Sequence, residues 1–212
     1  MGKMYPTFKD YLKAEYKGPW SATDVLIRHS ENGKEGLVLI TRKKEPYGLA
    51  LPGGIAENIT YAANAVKEAA EETGLHVKLD SPHKPAYVLS FPWEDPRAFI
   101  STIAYTGRGR GKLRPHPEED ARTAEIFTLE EIADRLDKPV WEKQNEEHEG
   151  WAFVHHKYIL ALYVQENAKN LTNRQQRIVE RVCDEYHAHE HSFIREQEKS
   201  SLIQEIISQQ TS

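Results

Sequence analysis

The chain has 212 residues, enough for one substantial core or a core with an appendage. Hydrophobic residues make up 39% and charged residues 29%, and the net charge of −5 excludes a general attraction to nucleic acid or anionic membrane. No apolar run approaches the roughly 20 residues of a membrane span, no export signal is legible, and the single Cys183 excludes an intrachain disulfide, so a cytoplasmic location without a membrane partner is expected.

Residues 1–20, ending in KGPW, read as an N-terminal arm. TDVLIRH and EGLVLITRK read as two strands, joined through Asn32-Gly33, a pair suited to positive φ in a hairpin turn. KKEPYGLALPGG is punctuated by Pro and Gly and reads as a loop. The alanine-rich segment from Thr60 to Thr73 predicts a helix, closed by Gly74 in the left-handed position. HVKLD, AYVLSF and AFISTIAYTG are strand-like, and RGRGKLRPHPEED reads as a flexible loop whose basic half could attract a polyphosphate. AEIF is a further short strand, and TLEEIADRL a helix opened by Thr128 and Glu131 as a capping box.

Beyond GWAFVHHKYILALYVQENAK the pattern is helical. Thr172 and Gln175 mark a helix start, and Ile178, Val179, Val182, Cys183 and Tyr186 recur at helical spacing. Leu202, Ile203, Ile206 and Ile207 repeat that pattern. Two readings stay open: helices docked on the core, or an arm that makes a homodimer. His187 and His191 have a zinc-compatible spacing, but no further ligand completes a set, so no metal is assigned there.

The densest chemistry lies in LPGGIAENITYAANAVKEAAEETGLHV. Glu68, Glu71 and Glu72 fall on one side of one helical turn, where like charges repel. Hard carboxylate oxygens so placed suit Mg²⁺ or Mn²⁺. Gly53 and Gly54 allow close approach of a ligand, and the following helix start offers free N–H groups to phosphate.

These residues resemble the Nudix hydrolase signature. KEAAEETGL, residues 67–75, matches its tail R-E-U-x-E-E-x-G-U, and LPGG matches its lead-in. The resemblance implies an α/β fold, a Nudix-type α/β/α sandwich with mixed sheet over residues 21–168, followed by a helical C-terminal extension over 169–212. It implies catalytic and metal-binding roles for Glu68, Glu71 and Glu72, with Mg²⁺ or Mn²⁺ as cofactor. Lys67 stands where the family has Arg, Ile59 stands where it has its first box Glu, and the intervening loop is one residue short. Lys67 is expected to support the carboxylates or touch phosphate, and Glu57 is a candidate substitute support.

LSFPWEDPRAFISTIAYTG is similar to Nudix proteins that act on ADP-ribose or related compounds. That similarity nominates Arg97 for phosphate or for a loop-fixing pair with Asp95, and Trp93 for base stacking, alongside Gly53 and Gly54 in substrate binding. Glu118, Glu119 and Asp120 are candidates for a further metal ligand or base. His155-His156 starts a helix where related proteins carry a His. The expected function is metal-dependent hydrolysis of a nucleoside diphosphate-linked substrate, ADP-ribose first, giving AMP and ribose 5-phosphate. The alternative is a non-catalytic ligand sensor of the same fold. Nucleic acid is not expected as a partner, since acids outnumber bases after residue 156.

Overall fold

The computed structural model describes residues 7, 18–91, 95–116, 120–142 and 149–198. The N-terminal arm and the apolar residues Leu202 to Ile207 lie outside the described residues. Two compact units are present, one of residues 1–128 with 138–156, the other of 129–137 with 157–212.

The first unit is built on a mixed sheet. Its strands are β1 (Trp20–Glu31), β2 (Lys34–Arg42), β3 (Leu49–Ala50), β4 (Gly53–Ile55), β5 (His76–Leu79), β6 (Tyr87–Leu89), β7 (Ile100–Arg110) and β8 (Ala121–Phe127). The main path runs β3-β2-β1-β7-β5, with β4 on β1, β6 on β7 and β8 on β2. β1 and β7 are parallel, and the remaining pairs are antiparallel. Asn32 and Gly33 have φ of 52° and 79°, as the β1–β2 hairpin requires.

The segment 45–54 departs from a simple loop. β3 pairs with β2, and β4 pairs with β1, so both short strands borrow their backbone partners from longer neighbours. Strands of two and three residues are too short to show a period. The second departure is at Arg108–Arg110, expected in a loop but held as the end of β7 by β5.

Helix α1 (Tyr61–Thr73) covers one face of this sheet. Thr60 caps its start by accepting the Ala63 N–H, and Gly74 ends it at φ 74° with its N–H on Ala70 O. Ala65 and Ala69 are fully buried against Val25, Ile27, Val38 and Tyr105. Their small side chains bring α1 close to the sheet, which sets the depth of the glutamates on the same helix.

The second unit contains α2 (Leu129–Arg135), most of α3 (Val154–Asn167) and α4 (Asn173–Glu198). Thr172 and Gln175 form a reciprocal cap: the Gln175 side chain accepts the Thr172 N–H at 2.8 Å, and Thr172 Oγ1 accepts the Gln175 N–H at 3.3 Å. Gln175 also donates to Glu130 O and Asp134. Ile178, Val179, Val182 and Cys183 are buried. No helix among the described residues is long and apolar enough to cross a membrane.

Candidate active site

The glycine segment is shaped by its neighbours. In β4, Gly53 pairs with Asp24 and Gly54 with Thr23. A Cβ on Gly53 would stand 2.2 Å from Thr23 O, and one on Gly54 would stand 2.4 Å from Glu68 Oε2. Gly53 therefore admits the strand, and Gly54 admits a carboxylate. The buried Asn64 steadies the turn into α1: its Oδ1 accepts the Glu57 N–H at 3.1 Å, and its Nδ2 donates to Thr23 Oγ1 at 2.9 Å.

Helical spacing brings the three glutamates to one side of α1, and Lys67 sits among them. Its Nζ lies 3.0 Å from Glu57 Oε1, 3.2 Å from Glu68 Oε1 and 3.2 Å from Glu71 Oε2. Hydrogen bonds to Glu57, Glu71 and Glu68 hold the ammonium charged beyond its ordinary range. Burial raises the Glu68 carboxyl despite Lys67. Glu72 is 3% exposed and accepts the Gly53 N–H at 2.9 Å. Burial pushes its carboxyl up to about 8; the Gly53 N–H and Arg42 pull the other way, and Glu68 and Asp24 add to the rise. Glu71 turns to Lys67 and is absent from the walls of the cleft.

The cleft has a volume of about 190 Å³. Glu68, Glu72 and Asp24 line it together with Arg42 and Arg97. Both guanidinium groups lie over the Phe153 ring, at 5.3 and 5.1 Å from its centroid. Arg97 is held by Asp95 through Nε at 2.9 Å and Nη2 at 2.7 Å, which keeps its pKa above the ordinary value. Arg42 is buried and donates from Nε to Pro46 O at 2.9 Å. Burial, then the nearby Arg97, lowers its pKa. Asp120 also lines the cleft, bound to Lys44 at 2.8 Å and Arg42 at 3.5 Å.

A buried chain of contacts fixes the LPGG lead-in. His156 Nδ1 accepts the Leu51 N–H at 3.0 Å, so its proton is on Nε2, which donates to Asp24 Oδ1 at 3.1 Å. Asp24 Oδ2 is buried with no hydrogen-bond partner among the described residues. Asp24, His155 and His156 place ligand atoms within 4.8 Å of one another, a group that could hold a metal ion. His156 is a poor ligand in this arrangement, because Nε2 would have to lose its proton while Nδ1 faces another N–H donor.

The structure thus gathers Gly53, Gly54, Glu68, Glu72, Arg97 and Asp120 around one cleft, with Lys67, Glu57 and Glu71 beside it. Trp93, Glu118 and Glu119 lie outside the described residues. His187 lies 3.7 Å from Glu190. Sequence reasoning missed Asp24, Arg42 and Phe153. An Arg ending a strand and an Asp within one carry no local mark of burial, and nothing in the sequence announces that Phe153 lies under both arginines.

The NUDIX domain family profile matches residues 19–148. The chain belongs to the NUDIX family. On that membership it is a Nudix-type pyrophosphohydrolase, with the mixed sheet and helices of the α/β/α class. A NUDIX hydrolase from Nitrosomonas europaea is similar at 19% identity and TM-score 0.53, over 74% of this chain and 76% of that one. The NUDIX domain of Shewanella oneidensis NrtR, solved with ADP ribose, is similar at 15% identity and TM-score 0.53, over 76% and 98%. A MutT/nudix family protein from Enterococcus faecalis gives 18% identity and TM-score 0.51, over 82% and 74%. No curated protein matches the sequence.

Nudix hydrolases use divalent metals, and the residues present fit one. Glu68 and Glu72 offer hard oxygens at the cleft. The Glu68 carboxylate fills the space that a side chain on residue 54 would need, and Glu72 is buried at the cost of its own ionisation. A cation would relieve that cost.

Proposed function

We propose that this chain hydrolyses the diphosphate of a nucleoside diphosphate derivative, with ADP-ribose as the leading substrate and AMP and ribose 5-phosphate as products. One observation carries the reading: a single cleft is lined both by carboxylates Glu68 and Glu72 and by guanidinium groups Arg42 and Arg97. Anionic walls suit Mg²⁺ or Mn²⁺, and cationic walls suit the diphosphate that the ion would share. The ADP ribose held by the Shewanella domain points the same way on substrate.

Glu68, Glu71 and Glu72 are the proposed metal-binding set. When bound, the ion would polarise a phosphoryl oxygen and supply a nucleophilic water. Arg97, braced by Asp95, presents a fixed fork to phosphate oxygens. Arg42 adds a second charge in a buried setting, where attraction to phosphate is less screened. Lys67 restrains Glu68 and Glu71 between turnovers and keeps their repulsion from splaying the site. Gly53 orients Glu72 through its N–H.

The test is release of AMP from ADP-ribose by the full chain with Mg²⁺ or Mn²⁺, beside Glu72→Gln. Metal-dependent turnover lost in the variant is the expected result. Tight ADP-ribose binding without turnover would replace this reading with the sensor.

A further inference from the structure

A row of cations crosses one end of the sheet, on the face away from α1. Arg28 on β1 stands beside Arg108 on β7, and Lys78 on β5 stands on the other side of Arg108. Neighbouring strands lie about 4.8 Å apart, so three positive side chains share one rung. Arg110 follows on the same face, one rung further along. The alternation is unambiguous: Ile27 and Leu79, next to Arg28 and Lys78, are buried in the core beneath α1.

Like charges directly opposite one another destabilise a sheet. Arg28 is paired directly, its Nη2 donating to both Asp80 oxygens at 2.6 Å. Burial alone would raise the Asp80 carboxyl; the Thr106 hydrogen bond and the charges of Arg28 and Arg108 outweigh it and hold it below its ordinary value. Among the described residues, no carboxylate forms an ion pair with Lys78, Arg108 or Arg110.

A cavity of about 400 Å³ opens beside this row, walled by Arg28, His29, Glu35, Arg108, Arg110 and Gly111. Two of its wall residues carry buried polar atoms with no hydrogen-bond partner among the described residues. His29 is 6% exposed and donates from Nδ1 to Gly109 O at 3.2 Å, while its buried Nε2 has no partner. Arg28 Nε is also buried and unpaired. Gly111 ends the segment at φ 115°, a conformation that favours glycine.

We propose that this end of the sheet binds an oligophosphate anion, gripped by Arg108 and Arg110 with Arg28 and Lys78 alongside. The site lies roughly 13 Å along β1 from Asp24 and is separate from the hydrolytic cleft. Arg28, Arg108 and Arg110 line this concave place with one carboxylate, Glu35, and Lys78 stands on the adjoining strand; on a chain of net charge −5 that excess of cations suits a small multivalent anion. A duplex or a membrane would need a broader basic surface.

The experiment uses the ¹⁵N-labelled full chain in EDTA, titrated with sodium tripolyphosphate and, in a second arm, ADP, at matched ionic strength. Saturable shifts of the His29 and Arg108–Gly111 amides are expected. Arg108→Gln/Arg110→Gln is expected to weaken binding at least about tenfold, with no loss of anion-free Tm and no change in turnover at the cleft. Arg108→Lys/Arg110→Lys is expected to retain part of the affinity. Tighter binding of ADP than of tripolyphosphate assigns the site to nucleotides; equal binding assigns it to the phosphates alone. Shifts confined to Gly53, Gly54 and Arg97, unchanged affinity in the Gln variant, or binding only to duplex DNA or phosphatidylserine vesicles would overturn the proposal.

Discussion

Lys67 and Glu57 form an ion pair of 3.0 Å between α1 and the turn that precedes it. The Nudix pattern has an Arg and a glutamate in this supporting role, and here both positions differ. A lysine cannot grip bidentately, but its three donors can face three separate acceptors. Glu57, Glu68 and Glu71 supply them. The substitution at position 67 and the extra glutamate at position 57 are therefore read together, as one altered support.

Lys67→Met is expected to lower the Tm of the metal-free protein modestly, the stability cost being less than about 1 kcal/mol because the ammonium is over a third exposed. The Tm gain on adding Mg²⁺ is expected to grow, since the ion then offsets carboxylate repulsion that Lys67 no longer relieves. Paired thermal melts with EDTA and with Mg²⁺ read both effects. A metal-induced gain equal to that of the wild type would show that Lys67 does not balance these charges.

Glu72 gives the metal-free protein a specific pH dependence. Its carboxyl is raised from an ordinary 4.5 to about 8, so between those values the folded state holds a proton that the unfolded chain releases. Stability from this group is greatest below pH 4.5, falls as pH rises towards 8, and is level above. At about 1.4 kcal/mol per pKa unit, the loss amounts to a few kcal/mol. Urea midpoints in EDTA from pH 5 to 8.5 should fall more steeply for the wild type than for Glu72→Gln. Parallel curves would remove the argument. Because Mg²⁺ displaces that proton, its affinity is expected to rise over the same range.

Much of this site is legible in the sequence because it is local. The glutamates share one helical turn, Gly74 must stop that helix, and Gly53-Gly54 precede it by a short turn. The strands β1 and β2 announce themselves through their hairpin. What fails to show is convergence. Asp24 and Arg42 come from within β1 and from the end of β2, and each looks like an ordinary polar residue of a strand. β3 and β4 have no period of their own and exist because longer strands lend them partners. The glycines at 107, 109 and 111 suggest a loop, but the β5 partner holds Arg108 and Arg110 in the sheet.

Arg97 and Asp95 are expected to act on substrate affinity together. Arg97→Lys removes the planar fork and is expected to raise KM for ADP-ribose about tenfold, with a smaller effect on kcat. Asp95→Asn leaves Arg97 in place but weakens its brace at Nε and Nη2, and is expected to reproduce part of the KM effect. Steady-state kinetics on the two single variants and the double variant give the coupling. Fully additive effects would mean that Asp95 does not act through Arg97.

The two glycines are expected to fail in different ways. A Cβ on Gly53 meets backbone, Thr23 O at 2.2 Å and Asp24 Cα at 2.7 Å, so β4 must leave β1 or the strand must bend. A Cβ on Gly54 meets the Glu68 side chain first, with Oε2 at 2.4 Å and Cδ at 2.7 Å, and a side chain can swing away. Gly53→Ala is therefore expected to cost stability, on the order of 2–3 kcal/mol as for other overpacked sites. Gly54→Ala is expected to keep the wild-type Tm in EDTA while moving Glu68 and weakening Mg²⁺ at least about tenfold. Thermal melts separate the first outcome, and Mn²⁺ titration by electron paramagnetic resonance reads the second. Equal metal affinity in Gly54→Ala and wild type would mean that the Glu68 carboxylate, for all its closeness to the glycine loop, does not hold the ion.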